Sequence, residues 1–307
     1  MFTNKRQTKK LHTQAYAAFN QGELAQAADY FAKLVQIAPH NPDYHYMQGL
    51  VAKNRMDWQM SLHANLRAIE HAPEFDEAHH WNAAIAATAL SDWQTARKMW
   101  TACGIPLPEQ EGEINGRFGI AVVRLNPWEQ GECVYVRRID PVRAVILNVP
   151  FPESGWQLGD IVLHDGAPTG TRQDQQGNTF SVFNALMRWQ ASDLLTFTAF
   201  VSCDSTQDIA DLQQALDEHG LYGEDWTESV HVLCLRCSYG SPHSHAHQPV
   251  QSSWQHERSI GIGAPQRHLV ENILKSWQSA APKRSILDIC QQTYPLPQRQ
   301  DGKVWWE

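Results

Sequence analysis

The chain has 307 residues, 42% of them apolar and 19% charged, enough for two domains with cores of their own. Its net charge of −8, with no basic block beyond Lys5, Arg6, Lys9 and Lys10, offers phosphate backbones no electrostatic footprint and excludes nucleic acid as the expected partner. The start lacks the apolar core of a signal peptide, no later run is long enough to span a membrane, and six cysteines are too few for a disulfide scaffold, so a cytoplasmic chain without membrane contact is expected.

Residues 8 to 108 repeat with a period of 34, lengthened to 35 across the turn of the third unit. Small residues recur at Ala15, Gly49 and Ala83 and again at Ala27, Ser61 and Ala96; bulky ones recur at Leu24, Trp58 and Trp93; Pro39 and Pro73 close the first two units. Each unit divides into two helical patterns, as in the second helix of the first unit, where Leu24, Ala27, Phe31, Leu34 and Ile37 fall on one face. Antiparallel helices cross closely where small side chains meet, and no unit buries its face without a neighbour.

This pattern resembles tetratricopeptide repeats over roughly the first third of the chain, with departures at Asn65, Gln14, Gln48 and Asn82, where apolar residues are usual. The resemblance implies helical hairpins around a concave groove that receives a peptide or helix and performs no chemistry. Carried onto this sequence, the groove positions are His12, Tyr16, Phe19 and Asn20, then Asp43, Tyr46, Leu50, Lys53 and Asn54, then Glu77, His80 and Thr88. The set has no run of Lys, Arg and Asn suited to a terminal carboxylate, which disfavours a clamp for chaperone tails.

Past the turn-rich, acidic stretch IPLPEQEGEING (105–116) the period changes from helical to alternating, dividing residues 1–108 from 109–307. The runs RFGIAVVRL, ECVYVRRI, RAVILNVP, DIVLHDG and LLTFTAFVSC read as strands. Helices are expected over SVFNALMRW (181–189), over 206–220 after an N-cap at Ser205 or Thr206, and over 265–278, with ERSIGIGAP and RSILDICQQ as strands around the last. The expected fold is therefore a helical hairpin array followed by an α+β domain with one mixed or antiparallel sheet.

Two candidate sites stand out. Asp160, His164 and Asp165 in GDIVLHDG could set a base beside its orienting carboxylate, although Asp-Gly after a strand is also an ordinary turn and no nucleophile accompanies them. The stretch CLRCSYGSPHSHAHQP sets Cys234 and Cys237 three positions apart and follows them with His243, His245 and His247, a donor set for one structural zinc of Cys₂His₂ type. The spacing is compressed, so Cys203, Cys290 or His231 could complete the shell, and a buried strand cysteine followed by a polar histidine loop is the equal alternative. The sequence GIGAP (261–265) lacks the third glycine of a dinucleotide fingerprint and reads as a tight turn. Most tryptophans are expected in cores, whereas Trp305 and Trp306 are expected to be exposed or docked on a neighbour.

No catalytic constellation emerges. In its acidity and its pairing of a short repeat array with an α+β module, the whole chain resembles repeat-containing immunity proteins of bacterial polymorphic toxin systems, including those of type VI secretion. That resemblance implies a non-enzymatic protein that binds and occludes a basic or secreted toxin domain encoded nearby. The alternative is a metal- or carboxylate-dependent enzyme with the repeats as a recruitment arm.

Overall fold

The computed structural model describes residues 2–129, 131–174, 176–229, 235–240 and 254–306. The first hundred residues form the expected helical array: α1 (Phe2–Asn20), α2 (Leu24–Ile37), α3 (Pro42–Asn54), α4 (Trp58–His71), α5 (Glu77–Ala89) and α6 (Trp93–Ala102). Consecutive helices pack in hairpins, and the hairpins stack through α2 on α3 and α4 on α5. Side-chain caps start the later helices, with Asn41, Asp57, Asp76 and Asp92 each accepting a backbone N–H of the first turn.

The repeat is also written in the backbone. The residue two before the second helix of each unit is left-handed, at Gly22 (φ +76°), Met56 (φ +60°) and Ser91 (φ +58°). A side chain there costs about 1–2 kcal/mol, which the flanking packing offsets in the second and third units. The departure at Asn65 has a reason too. Its amide nitrogen donates to Ser61 O at 2.8 Å and lies where a Cβ on Gly49 would stand, while Ser61 Oγ donates to Gly49 O at 2.9 Å. A polar lock thus holds the closest helix crossing.

Among the described residues the strands form two sheets, not the single sheet expected. The first runs β1 (Ile120–Arg124), β2 (Cys133–Arg138), β3 (Arg143–Ile146), β4 (Ile161–His164), β6 (Thr179–Gln190), β5 (Gly170–Gln173). It closes on itself because β1 also pairs with β6 in parallel, Val122 opposite Val182 and Arg124 opposite Asn184. Ala121, Val123, Val134, Val136, Ile146, Trp156, Val162, Phe183 and Ala185 fill the interior of this barrel.

Strand β6 corrects the helix expected over 181–189. Phe183 and Ala185 face the barrel interior, while Leu186, Met187 and Trp189 pack against the helical array. A strand buried on both faces loses the alternation by which strands are recognised, and its run of apolar residues imitates a helix.

The second sheet, in order β10-β7-β9-β8, is antiparallel throughout. Its elements follow as β7 (Leu195–Ser202), α7 (Thr206–Glu218), β8 (Tyr222–Asp225), the single turns α8 (Trp226–Ser229) and α9 (Leu235–Ser238), β9 (Glu257–Ala264), α10 (Arg267–Ser279) and β10 (Ser285–Gln291). This is a β-α-β-β-α-β unit of ferredoxin-like strand order. Helix α7 opens with a capping box between Ser205 and Asp208, and Leu212, Leu216, Val270, Leu274 and Trp277 of α7 and α10 cover Phe197, Ala199, Val201, Ile260 and Ile262.

Candidate protein-binding face

The barrel docks against the helical array through aromatic side chains. Trp58 Nε1 lies 2.9 Å from Met187 Sδ, and Trp189 Nε1 donates to Thr88 O at 3.3 Å. Fully buried Arg143 is sandwiched between Trp93 and Trp189, its guanidinium carbon 4.5 and 4.2 Å from the two ring centres, and it is neutralised by Asp140 at 2.5 Å and Glu113 at 2.7 Å. No motif distinguished Arg143 in the sequence, because its partners come from the array, the linker, the turn after β2 and strand β6.

The C-terminal segment closes the same joint. The N-cap of α2, Glu23, makes no side-chain cap bond. Asp301 supplies it from the far end of the chain, accepting Leu24 N at 2.7 Å and Ala25 N at 3.2 Å. Gly302 N donates to Gly22 O at 2.8 Å, and a Cβ on Gly22 would stand 2.7 Å from the carbonyl carbon of Lys303, so the turn between α1 and α2 must be glycine. Trp305 is 1% exposed, packs edge-on to Trp128 and accepts Asn184 Nδ2 at its carbonyl (2.9 Å), while Trp306 lies against Phe19. The expectation that these two tryptophans are exposed or docked on a neighbour is thus corrected: they fasten the chain to itself.

The groove positions therefore divide into two groups. Phe19 meets Trp306, Leu50 packs in the same cluster, Lys53 binds Asp165, Asn54 is 1% exposed, and Thr88 lies beneath Trp189. Of the rest, His12, Asn20, Asp43 and Glu77 are exposed and Tyr16, Tyr46 and His80 half-exposed. The barrel enters the groove at Asp165-Gly166, where a Cβ on Gly166 would stand 2.7 Å from the Trp81 ring. Hence the barrel and the tail cover part of this set and leave His12, Asn20, Asp43 and Glu77 exposed.

The exposed and half-exposed positions include acidic and aromatic side chains. Burial raises the Tyr16 hydroxyl pKa, and Asp43 and then Tyr44 raise it further. Burial likewise raises Tyr46, helped by Asp76 and Asp165 and opposed by a hydrogen bond with Asn82. Burial lowers the His79 pKa against the pull of Asp76 and Asp43.

Asp160 and His164 lie at opposite ends of β4, and with Asp165 they make no catalytic arrangement. Asp160 is fully buried, accepts Gln157 N and Ser192 N at 2.9 and 2.8 Å, and pairs with Arg188 Nε at 2.8 Å. The His164 ring is fully buried on Phe183, with Nδ1 2.7 Å from Asp165 O. Burial lowers its pKa to about 4. The Asp165 carboxylate is taken by Lys53 and Gly166 N, so no carboxylate orients the imidazole.

Of the proposed zinc donors, Cys234, His243, His245 and His247 lie outside the described residues, as does His231. Cys237 sits in α9, which is pinned to the barrel: Arg124 Nε donates to Ser238 Oγ at 2.9 Å and stacks on Tyr239, and Arg172 Nη2 donates to Cys237 O at 3.2 Å. Cys203 and Cys290 belong to the second sheet and its margins, where Trp254 Nε1 donates to Cys203 O and the Cys290 thiol donates to Asp288. Among the described residues no three His, Cys, Asp or Glu side chains are grouped to hold a metal ion, and no helix is long and apolar enough to cross a membrane.

The fold thus defines a helical hairpin array fused to a closed barrel and a ferredoxin-like unit. No protein-family model and no curated protein matches the sequence. Among solved structures, the TPR2B domain of yeast Sti1 in complex with an Hsp70 peptide is similar at 16% identity and TM-score 0.29, covering 31% of this chain and 76% of that one. The CopN–Scc3 complex is similar at 18% identity and TM-score 0.30, covering 34% of this chain and 61% of that one. A hypothetical protein from Neisseria gonorrhoeae is similar at 16% identity and TM-score 0.26, covering 57% of this chain and 94% of that one. Likenesses this slight carry no functional argument, and the repeat architecture rests on the caps, crossings and left-handed turns described above.

Proposed function

We propose that this chain is a protein-binding protein without catalysis of its own, and more finely an immunity protein that binds and occludes a cognate bacterial toxin in the cytoplasm. The observation that carries the reading is that the chain covers part of the groove set and leaves His12, Asn20, Asp43 and Glu77 exposed. The barrel and the tail hold the array rigid, so these positions are preorganised and a partner need not order them on binding. The acidic balance of the chain suits a basic partner. The enzyme alternative gains no support from Asp160, His164 or Asp165, each of which serves a buried structural contact. Co-expression with the product of the adjacent gene should yield a stable complex on size-exclusion chromatography. Absence of any neighbour-encoded binder, together with turnover of a substrate by the purified chain, would overturn the reading.

A structural zinc held by Cys234, Cys237, His243 and either His245 or His247 belongs to the same proposal, on the strength of donor chemistry alone. Elemental analysis of untagged protein tests it, and occupancy below about a tenth of an equivalent would remove it.

A further inference from the structure

We infer that His71 is an acid-sensitive latch between the first two units of the helical array, joining them while its ring is neutral and releasing them when the ring takes up a proton. The inference goes beyond the protein-binding reading, because it concerns how the array is held together and not what it holds. His71 ends α4 and lies against rings from two other elements. His40, in the turn after α2, meets it edge-on with 4.9 Å between ring centres, and His45 of α3 lies 5.5 Å away.

The hydrogen-bond partners assign the protons. A guanidinium only donates, so Arg67 Nη2, 2.8 Å from His71 Nε2, meets a lone pair there, and the His71 proton sits on Nδ1. A carbonyl only accepts, so His45 Nε2, 2.8 Å from Pro39 O, carries the proton of that ring. His45 is 5% exposed, which fixes its ring between the turn and His71. A chain of contacts therefore runs from Arg67 through His71 and His45 to Pro39 and ties the end of α4 to the turn that closes the first unit.

One proton on His71 Nε2 breaks the chain, because that nitrogen then points a donor at a donor and the imidazolium faces a guanidinium. Among the described residues, the charged and titratable side chains facing the ring are Arg67 and Glu70 of α4, His40 of the turn and His45 of α3. Burial lowers the His71 pKa and Arg67 lowers it further; Glu70 opposes them, and His40 and His45 add to the lowering. Glu70 is already paired with Arg67 and is 59% exposed, so it does not replace the lost contact. The latch is whole above the ordinary value of 6.5 and is lost as pH falls below it, since the unfolded chain then binds the proton more readily. With its lone pair held by Arg67, His71 has none at Nε2 for a metal ion, which leaves the cluster its proton chemistry.

The test uses the full chain, with NMR titration of the histidine rings and amide hydrogen exchange expressed as protection at pH 7.5 and pH 5. His71 should titrate below 6.5 in wild type and move up in Arg67→Met, which frees the lone pair. The Asn41 and Ala72 amides close the turn and the end of α4 on Ala38 O and Ala68 O, and their protection should fall at least about tenfold in acid, the change one proton produces over one pH unit. The Leu125 amide of the barrel, bonded to Glu132 O, should lose less. His71→Gln still accepts from Arg67 but cannot titrate, so its Asn41 and Ala72 amides should lose no more protection than Leu125. A His71 titration that Arg67→Met leaves unmoved, equal loss at Leu125 in wild type, or the same local loss in His71→Gln would overturn the inference.

Discussion

The ammonium of Lys53, near the end of α3, lies 3.0 Å from both carboxylate oxygens of Asp165, just past β4. The two side chains are 7% and 14% exposed, so a buried ion pair joins the helical array to the barrel. A pair of this kind adds little over well-packed apolar residues, but each partner becomes costly once the other is removed.

Lys53→Met should therefore lower stability by about 3–5 kcal/mol, because Asp165 would be left charged and unpaired in the joint. K53M/D165N should recover most of that loss, since asparagine still accepts Gly166 N. Urea denaturation of the two variants and wild type checks both statements; equal stability of K53M and wild type would show the pair to be solvated.

The tail should behave as a structural strap. Trp305→Ala should cost about 3–5 kcal/mol as a fully buried aromatic lost from the core, and Asp301→Ala about 1 kcal/mol as a lost helix cap. Hydrogen exchange separates the second effect from general loosening: the Leu24 and Ala25 amides should exchange faster in D301A and unchanged in K53M, as only the former removes their acceptor.

Acid should destabilise the fold through His164. Its folded pKa of about 4 lies below the ordinary 6.5, so between these values the unfolded chain binds a proton that the folded chain does not. The neutral ring's contribution is present above 6.5 and is lost as pH falls through that window, up to about 3 kcal/mol by pH 4 at 1.36 kcal/mol per unit. In His164→Gln the stability profile between pH 6.5 and 4 should flatten by about one proton; an unchanged slope would place the ring in contact with solvent.

Glu132 sets the opposite limb. Burial, with Glu224 and Glu153 nearby, raises its pKa to about 8 against the backbone hydrogen bond from Phe151. The folded chain then holds a proton that the unfolded chain loses above about 4.3, so stability falls as pH rises through the window up to about 8. Glu132 keeps partial solvent exposure, which tempers the size of the effect. Glu132→Gln should match wild type at pH 4.5 and exceed it at pH 9 in denaturant titrations.

What the sequence determined by itself is what short-range physics determines. The spacing of small and bulky residues located the hairpins from Ala15 to Ala96, Ser205 marked the start of α7, and the turn formers after Ile105 marked the change from helices to strands. The closed barrel, the second sheet and the strand nature of β6 required tertiary structure, because a strand pressed between a barrel and a helical array carries no period to read. The groove itself shows the same division. Its positions from His12 to Thr88 are those the resemblance to tetratricopeptide repeats implies, but which of them the chain covers depends on Asp165, Trp189 and Trp306, contributed from far along the chain. Contacts at such separation arise from how whole units close on one another, and no local pattern records them.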